Sequence, residues 1–159
     1  MEIEQKKFDR VKTESEAYYK TIGDVHCPYL KGNVSFNSKG LEHLKFKERN
    51  KARLLLDQYI RLKLLKTAPH ILNNSHTVQE FFETNKFEQQ KINSRWEYRS
   101  VKVTYYGFVA IISGARIKVI VKEVAGGNKF FWSLIPFWKN KVKNGQNKKI
   151  LHAGDLEAD

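Results

Sequence analysis

The chain has 159 residues and 41% apolar content, enough for one buried core, and its 29 lysines and arginines against 17 aspartates and glutamates leave a formal charge of +12. Charge of that size favours nucleic acid or an acidic protein as partner and says nothing about fold. A single cysteine, Cys27, excludes an internal disulfide and zinc sites built on paired cysteines, and the longest apolar run, 107–112, is far too short to span a bilayer.

Residues 1–22 predict a charged helix with a thin apolar stripe of Ile3, Phe8, Val11, Tyr18, Tyr19 and Ile22, stopped by Gly23. The opening MEIEQKKFDRVK has no apolar segment of the kind a signal peptide needs, and with the lone cysteine it fits a reducing, cytoplasmic location and no membrane. Val25 to Tyr29 is expected to be extended, because the residue before Pro28 avoids the helical region. Asn33 to Phe36 predicts a short strand. Asn37 and Ser38 are both competent caps for a short helix from Gly40 to Phe46. Leu41 and Leu44 face the core there, and His43 points elsewhere or sits on the edge of that stripe.

Glu48 to Lys66 predicts a helix, with Leu55, Tyr59, Leu62 and Leu65 at three- and four-residue spacing. Arg49 and Arg53, four apart, would share its N-terminal face. Pro69 interrupts, and Ile71 and Leu72 add apolar surface. Thr77-Val78-Gln79-Glu80 matches a capping box and predicts a helix through Phe82 or Asn85, with the polar stretch Lys86 to Ser94 as a loop. Trp96-Glu97 opens a strand. Val101 to Ile112 is the longest β-like run, and its Gly107 marks a bulge or a close approach.

Ser113-Gly114 turns the chain into a β-hairpin over Ala115 to Pro136. Ile117, Val119 and Val121 alternate with Arg116, Lys118, Ile120 and Lys122, one face aliphatic and one mostly cationic. Gly126-Gly127-Asn128 supplies the reversal, Phe130, Phe131 and Trp132 the return strand, and Pro136 its stop. Residues 139–149 carry five lysines and no acid, Lys139, Lys141 and Lys143 among them, and read as a basic arm before an acidic end, His152 to Asp159. The expected fold is α+β, with N-terminal helices packed on one face of a small antiparallel β-meander. It forms one domain over 1–138: a helix to 24, a short strand and helices over 25–92, and a sheet over 93–138. The arm and tail take up 139–159.

The five histidines, His26, His43, His70, His76 and His152, fall in no metal-binding spacing, and no phosphate loop, dinucleotide fingerprint or nucleophile elbow appears, so no cofactor is called for. What these residues can do is cleave RNA. The ribose 2′-hydroxyl is the nucleophile, so the protein needs only to move two protons and stabilise charge on phosphorus. Histidine suits the proton transfer and arginine the phosphate. The candidates are His43, Arg49, Arg53, Arg116, Lys118, Lys122, Tyr105 and Ser133. Trp96, Tyr98, Tyr105, Tyr106 and Trp132 are the aromatics available to stack on bases.

The segments VSFNSKGLEHLKFK and ARIKVIVKEVAGGNKFFWSLIP, with helices ahead of a β-meander, resemble the phage and mobile-element branch of the barnase–EndoU–colicin–RelE-like nucleases. In that branch a G-x-x-H-type helix precedes strands of the R-h-K-V-h-V-K and G-G-x-K-x-F-W-S-h-h-P kind, and the resemblance spans about residues 25–136. It implies a RelE/barnase-like helix-then-sheet fold and metal-independent cleavage of RNA or tRNA. The implied setting is that of a toxin or phage conflict, where an immunity or antitoxin protein is the partner. By position, it makes His43 the acid or base, Arg49, Arg53, Arg116 and Lys118 the phosphate-binding cations, and Ser133 an assisting hydroxyl. Two other readings stand beside it: a non-catalytic nucleic-acid-binding protein on the same scaffold, and an interaction module of a mobile element whose charge meets an acidic protein.

Overall fold

The computed structural model describes residues 3–48, 51–137 and 156–157. The expectations for Arg49, for Lys139, Lys141 and Lys143, and for nearly all of the basic arm and acidic tail lie outside the described residues. The elements run α1 (Gln5–Ile22), β1 (Asp24–Cys27), β2 (Gly32–Ser35), α2 (Ser38–Lys45), β3 (Phe46–Glu48), β4 (Lys51–Ala52), α3 (Leu55–Leu64), α4 (Thr67–Asn73), β5 (Glu80–Ile92), β6 (Arg95–Ile112), β7 (Ala115–Val124) and β8 (Lys129–Phe137). Among the described residues this is a mixed α+β arrangement of four helices and a six-stranded, mostly antiparallel sheet. No helix among them is long and apolar enough to cross a membrane.

The sheet order is β1-β2-β8-β7-β6-β5. Strands β6 to β8 form the expected meander, β5 extends it by one strand, and β1-β2 is a hairpin added at the far edge. It joins β8 in parallel through one pair, Ser35 with Phe130. Among the described residues no strand pairs with the outer edge of β8 beyond Phe130, and α2 and α3 pack against β8. Pro136 therefore does not stop β8. It pairs with Ile117 inside the strand, where an open edge tolerates its missing N–H.

Period-two alternation sorts β7 as expected. Ile117, Val119 and Val121 join Phe8, Tyr19, Leu44, Leu62, Phe108 and Phe131 in the core under the helices. The opposite face is not an open basic surface. Val103, Tyr105, Ile120 and Leu156 form a second buried cluster there. Lys118 is fully buried with its Nζ 3.1 Å from Glu80, and Lys122 is buried with its Nζ 3.1 Å from Glu88. Both carboxylates come from β5, which curls over that face, so these lysines are not the exposed phosphate contacts the alternation suggests. Tyr105, also expected to touch nucleic acid, is wholly buried.

Three local expectations fail for identifiable reasons. The helix over Glu48 to Lys66 starts only at Leu55, because Arg53 donates its backbone N–H to Lys45 O and closes the β3-β4 ribbon. Arg53 therefore precedes the helix instead of lying on its N-terminal face. The capping box at Thr77 caps nothing: Gln79 N–H bonds Gly107 O, and Glu80 begins a strand of thirteen residues rather than a helix and a loop. Asn93 and Ser94, both at positive φ, make the two-residue turn that joins β5 to β6.

Candidate functional site

The side chains gather at the open edge of β8, and one glycine sets the geometry. Asn37 caps α2 by accepting from the N–H groups of Lys39 and Gly40. At Gly40 the helix touches β8 so closely that an added Cβ would lie 2.3 Å from Phe131 O. One turn later His43 is carried over Trp132, the rings stacked at 4.0 Å with 19° between their planes. Trp132 is available because β8 bulges: Ser133 pairs with Ile120 and Phe131 with Val121, which leaves Trp132 the extra residue. A bulge re-aims a side chain that regular alternation would place elsewhere.

Around this stack lie three cations. Arg53 donates Nε to His43 O at 2.9 Å and approaches His43 Nε2 with Nη2 at 3.1 Å. Arg61, on α3, donates Nη1 to Ser133 Oγ at 2.8 Å and Nε to Asp57 Oδ1 at 2.8 Å. Asp57 also faces Arg53 Nη1 at 3.6 Å. Lys122 places Nζ 4.4 Å from the Trp132 ring centroid. His43, Arg53, Arg61, Ser133 and Lys122 are all buried, while Asp57 is exposed at its outer side.

The tautomer of His43 follows from its partner. A guanidinium can only donate, so Nε2 must accept, and the ring is neutral with its proton on Nδ1. Burial and then the charges of Arg53, Arg61 and Lys122 push its pKa down to about 3. His43 therefore does not titrate near neutrality in this state, a correction to its expected poise as an acid or base. Burial also lowers the pKa of Lys122, against the pull of Glu88.

Of the residues singled out in the sequence, His43, Arg53, Ser133 and Lys122 meet here. Arg116 does not. It sits at the start of β7, opposite Ile111 and Phe137, about 13 Å along the strand from Ile120, the partner of Ser133. Lys118 lies on β7 too, but its ion pair is with Glu80. Arg61, Asp57 and Glu88 are members that the reading of the sequence missed. For two of them a signal was present: Arg53, Asp57 and Arg61 recur at four-residue spacing, which sets ionic partners on one face of a helix.

Compared with protein-family models, with curated proteins and with solved structures, the chain matches none.

Proposed function

We propose that the β8-edge cluster binds an RNA phosphate and that the protein is a metal-independent endoribonuclease of the toxin or phage-conflict kind, on a RelE/barnase-like scaffold. The observation that carries the reading is the convergence of His43, Arg53, Arg61, Ser133 and Lys122 on the bulged Trp132. A histidine whose pKa is pushed down by burial and then by three neighbouring cations is a sign of a functional site. Asp57 and Glu88 hold the positions of anions beside the two arginines and the lysine. A phosphate that displaces them draws Arg53 off His43 Nε2 and cancels part of the cationic field, so the imidazole regains basicity as substrate enters.

The reaction then balances as follows. The 2′-oxygen forms a bond to phosphorus as its proton passes to His43 Nε2. The bond from phosphorus to the 5′-oxygen breaks, and that oxygen takes a proton from Lys122. The guanidiniums of Arg53 and Arg61 hold the non-bridging oxygens. The products are a 2′,3′-cyclic phosphate and a free 5′-hydroxyl.

A second reading, non-catalytic nucleic-acid binding, is favoured by one observation: Nε2 is already engaged by Arg53, and the ring stays neutral down to about pH 3. Incubation with tRNA and structured RNA in excess EDTA separates the two. Cleavage with cyclic phosphate ends, slowed roughly 10²–10⁴-fold by His43→Ala, supports the enzyme. Retention of RNA that weakens as a power of salt, with no cleavage, supports the binder. No retention at low salt removes both.

A further inference from the structure

Strands β5 and β6 run on past the rest of the sheet. Strand β7 pairs with β6 only from Val103 onward, so Arg95 to Lys102 pair with β5 alone, as a two-stranded ribbon about 26 Å long. Cross-strand partners share a face and neighbours in sequence alternate. One face of the ribbon carries Glu88, Gln90 and Ile92, each half-buried where it turns toward the body. The other carries Phe87, Tyr98 and Trp96, which are 76%, 61% and 65% exposed.

Patches of exposed large apolar side chains mark interaction sites. The chemistry of this one is specific. Phe87, Gln89 and Lys91 pair with Ser100, Tyr98 and Trp96, so this stretch of the outer face holds three rings, one lysine and no carboxylate. The acids of the ribbon, Glu88 and Glu97, lie on the inner face with Arg95 and Arg99. Trp96 and Tyr98 are two residues apart on one strand, hence about 7 Å apart along it. That is twice the roughly 3.4 Å rise of one stacked nucleotide, room for one base between the rings.

We infer that the outer face of the β5-β6 ribbon is a stacking platform for single-stranded nucleic acid, with Trp96, Tyr98 and Phe87 against bases and Lys91 against phosphate. The occupant is a nucleic acid rather than a protein because the face combines flat rings and positive charge with no acid, on a chain of net charge +12. Single strands fit because their bases are free to leave one another and lie on protein rings, whereas duplex bases are already stacked. The inference rests on the nucleic-acid reading above and locates where substrate RNA is first held, apart from the cluster that acts on it.

The test uses a 2′-O-methyl oligouridine of about twelve nucleotides, within the usual site size for such platforms and inert to 2′-hydroxyl attack. Anisotropy compares it with its duplex, for the wild type and for Trp96→Ala, Tyr98→Ala and Trp96→Phe. Each alanine is expected to weaken single-strand binding roughly 5- to 150-fold, the range for losing one stacked ring. Trp96→Phe keeps most of the affinity, and the duplex binds less well than the single strand. Because these side chains are exposed, all variants should melt as the wild type does. Wild-type affinity in both alanine variants overturns the platform and leaves the nucleic-acid reading standing. Failure of the wild type to bind any oligonucleotide overturns that reading and the platform together. A wild-type dimer that Trp96→Ala dissociates, with oligonucleotide binding unchanged, overturns the platform in favour of a second copy of the chain.

Discussion

Acidification puts the neutral state of His43 to a quantitative test. In the folded chain the ring takes up a proton only at about pH 3, whereas its ordinary value is 6.5. Between those limits the unfolded chain binds a proton that the folded chain refuses, so stability falls as pH falls. The contribution of His43 is intact above 6.5 and is lost progressively toward 3. Each pH unit in that window is worth about 1.4 kcal/mol, so roughly 3 kcal/mol should be gone by about pH 4. The perturbation that isolates this term is His43→Gln, which removes the titrating ring. Urea unfolding of both proteins near pH 7 and near pH 4 gives two differences. Effects of acid that the two proteins share cancel between the differences. The wild type should lose about 3 kcal/mol more than the variant over that interval. Equal losses, or an NMR titration of His43 centred near 6.5, would show that Nε2 is not held by Arg53 and that the cationic field is not felt there.

Gly40→Ala should lower the melting temperature sharply, because the new methyl must displace the Phe131 carbonyl or tilt α2 away from β8, at about 1–3 kcal/mol or more. The same tilt should separate His43 from Trp132, visible as a change in tryptophan fluorescence. Lys118→Met leaves the half-buried Glu80 without this cation and should cost up to about 3–5 kcal/mol in chemical unfolding, with part of the loss recovered when Glu80→Gln is added. Arg116→Ala, outside the cluster, should leave any RNA cleavage within about twofold of wild type, whereas Arg61→Ala, which removes the guanidinium that donates to Ser133, should reduce it by about 10²-fold or more in single-turnover assays.

What was legible in the sequence was what local chemistry dictates. Gly23 ends α1, Asn37 caps α2, and the alternation from Ile117 to Val121 gives a half-aliphatic strand, all as read. The ribbon was illegible for a physical reason. Both of its faces carry polar residues, so β5 shows none of the apolar alternation by which strands are recognised, and its pairing with β6 decides the matter. The capping-box pattern at Thr77 was a local preference overruled by the Gln79 bond to Gly107. The site divides in the same way. His43, Arg53 and Ser133 were found by residue type, and their meeting depends on the bulge at Trp132, which no spacing announces. The basic face of β7 was read correctly as a face and wrongly as exposed, because the carboxylates that pair with it come from a strand that was not foreseen.

The outer edge of β8 has a consequence for how the protein is made. Arg61 and Ser133 are separated by 72 residues, and the β1-β2 hairpin near the start of the chain meets β8 by a single pair. Contacts this distant form late, since the long intervening segment must first be ordered. A nascent chain that has reached α3 carries His43 and both arginines but lacks the ring and hydroxyl of Trp132 and Ser133, so the site stays unbuilt until β8 has been made. If the cluster attacks RNA, the machinery synthesising the polypeptide is spared until β8 has emerged and docked.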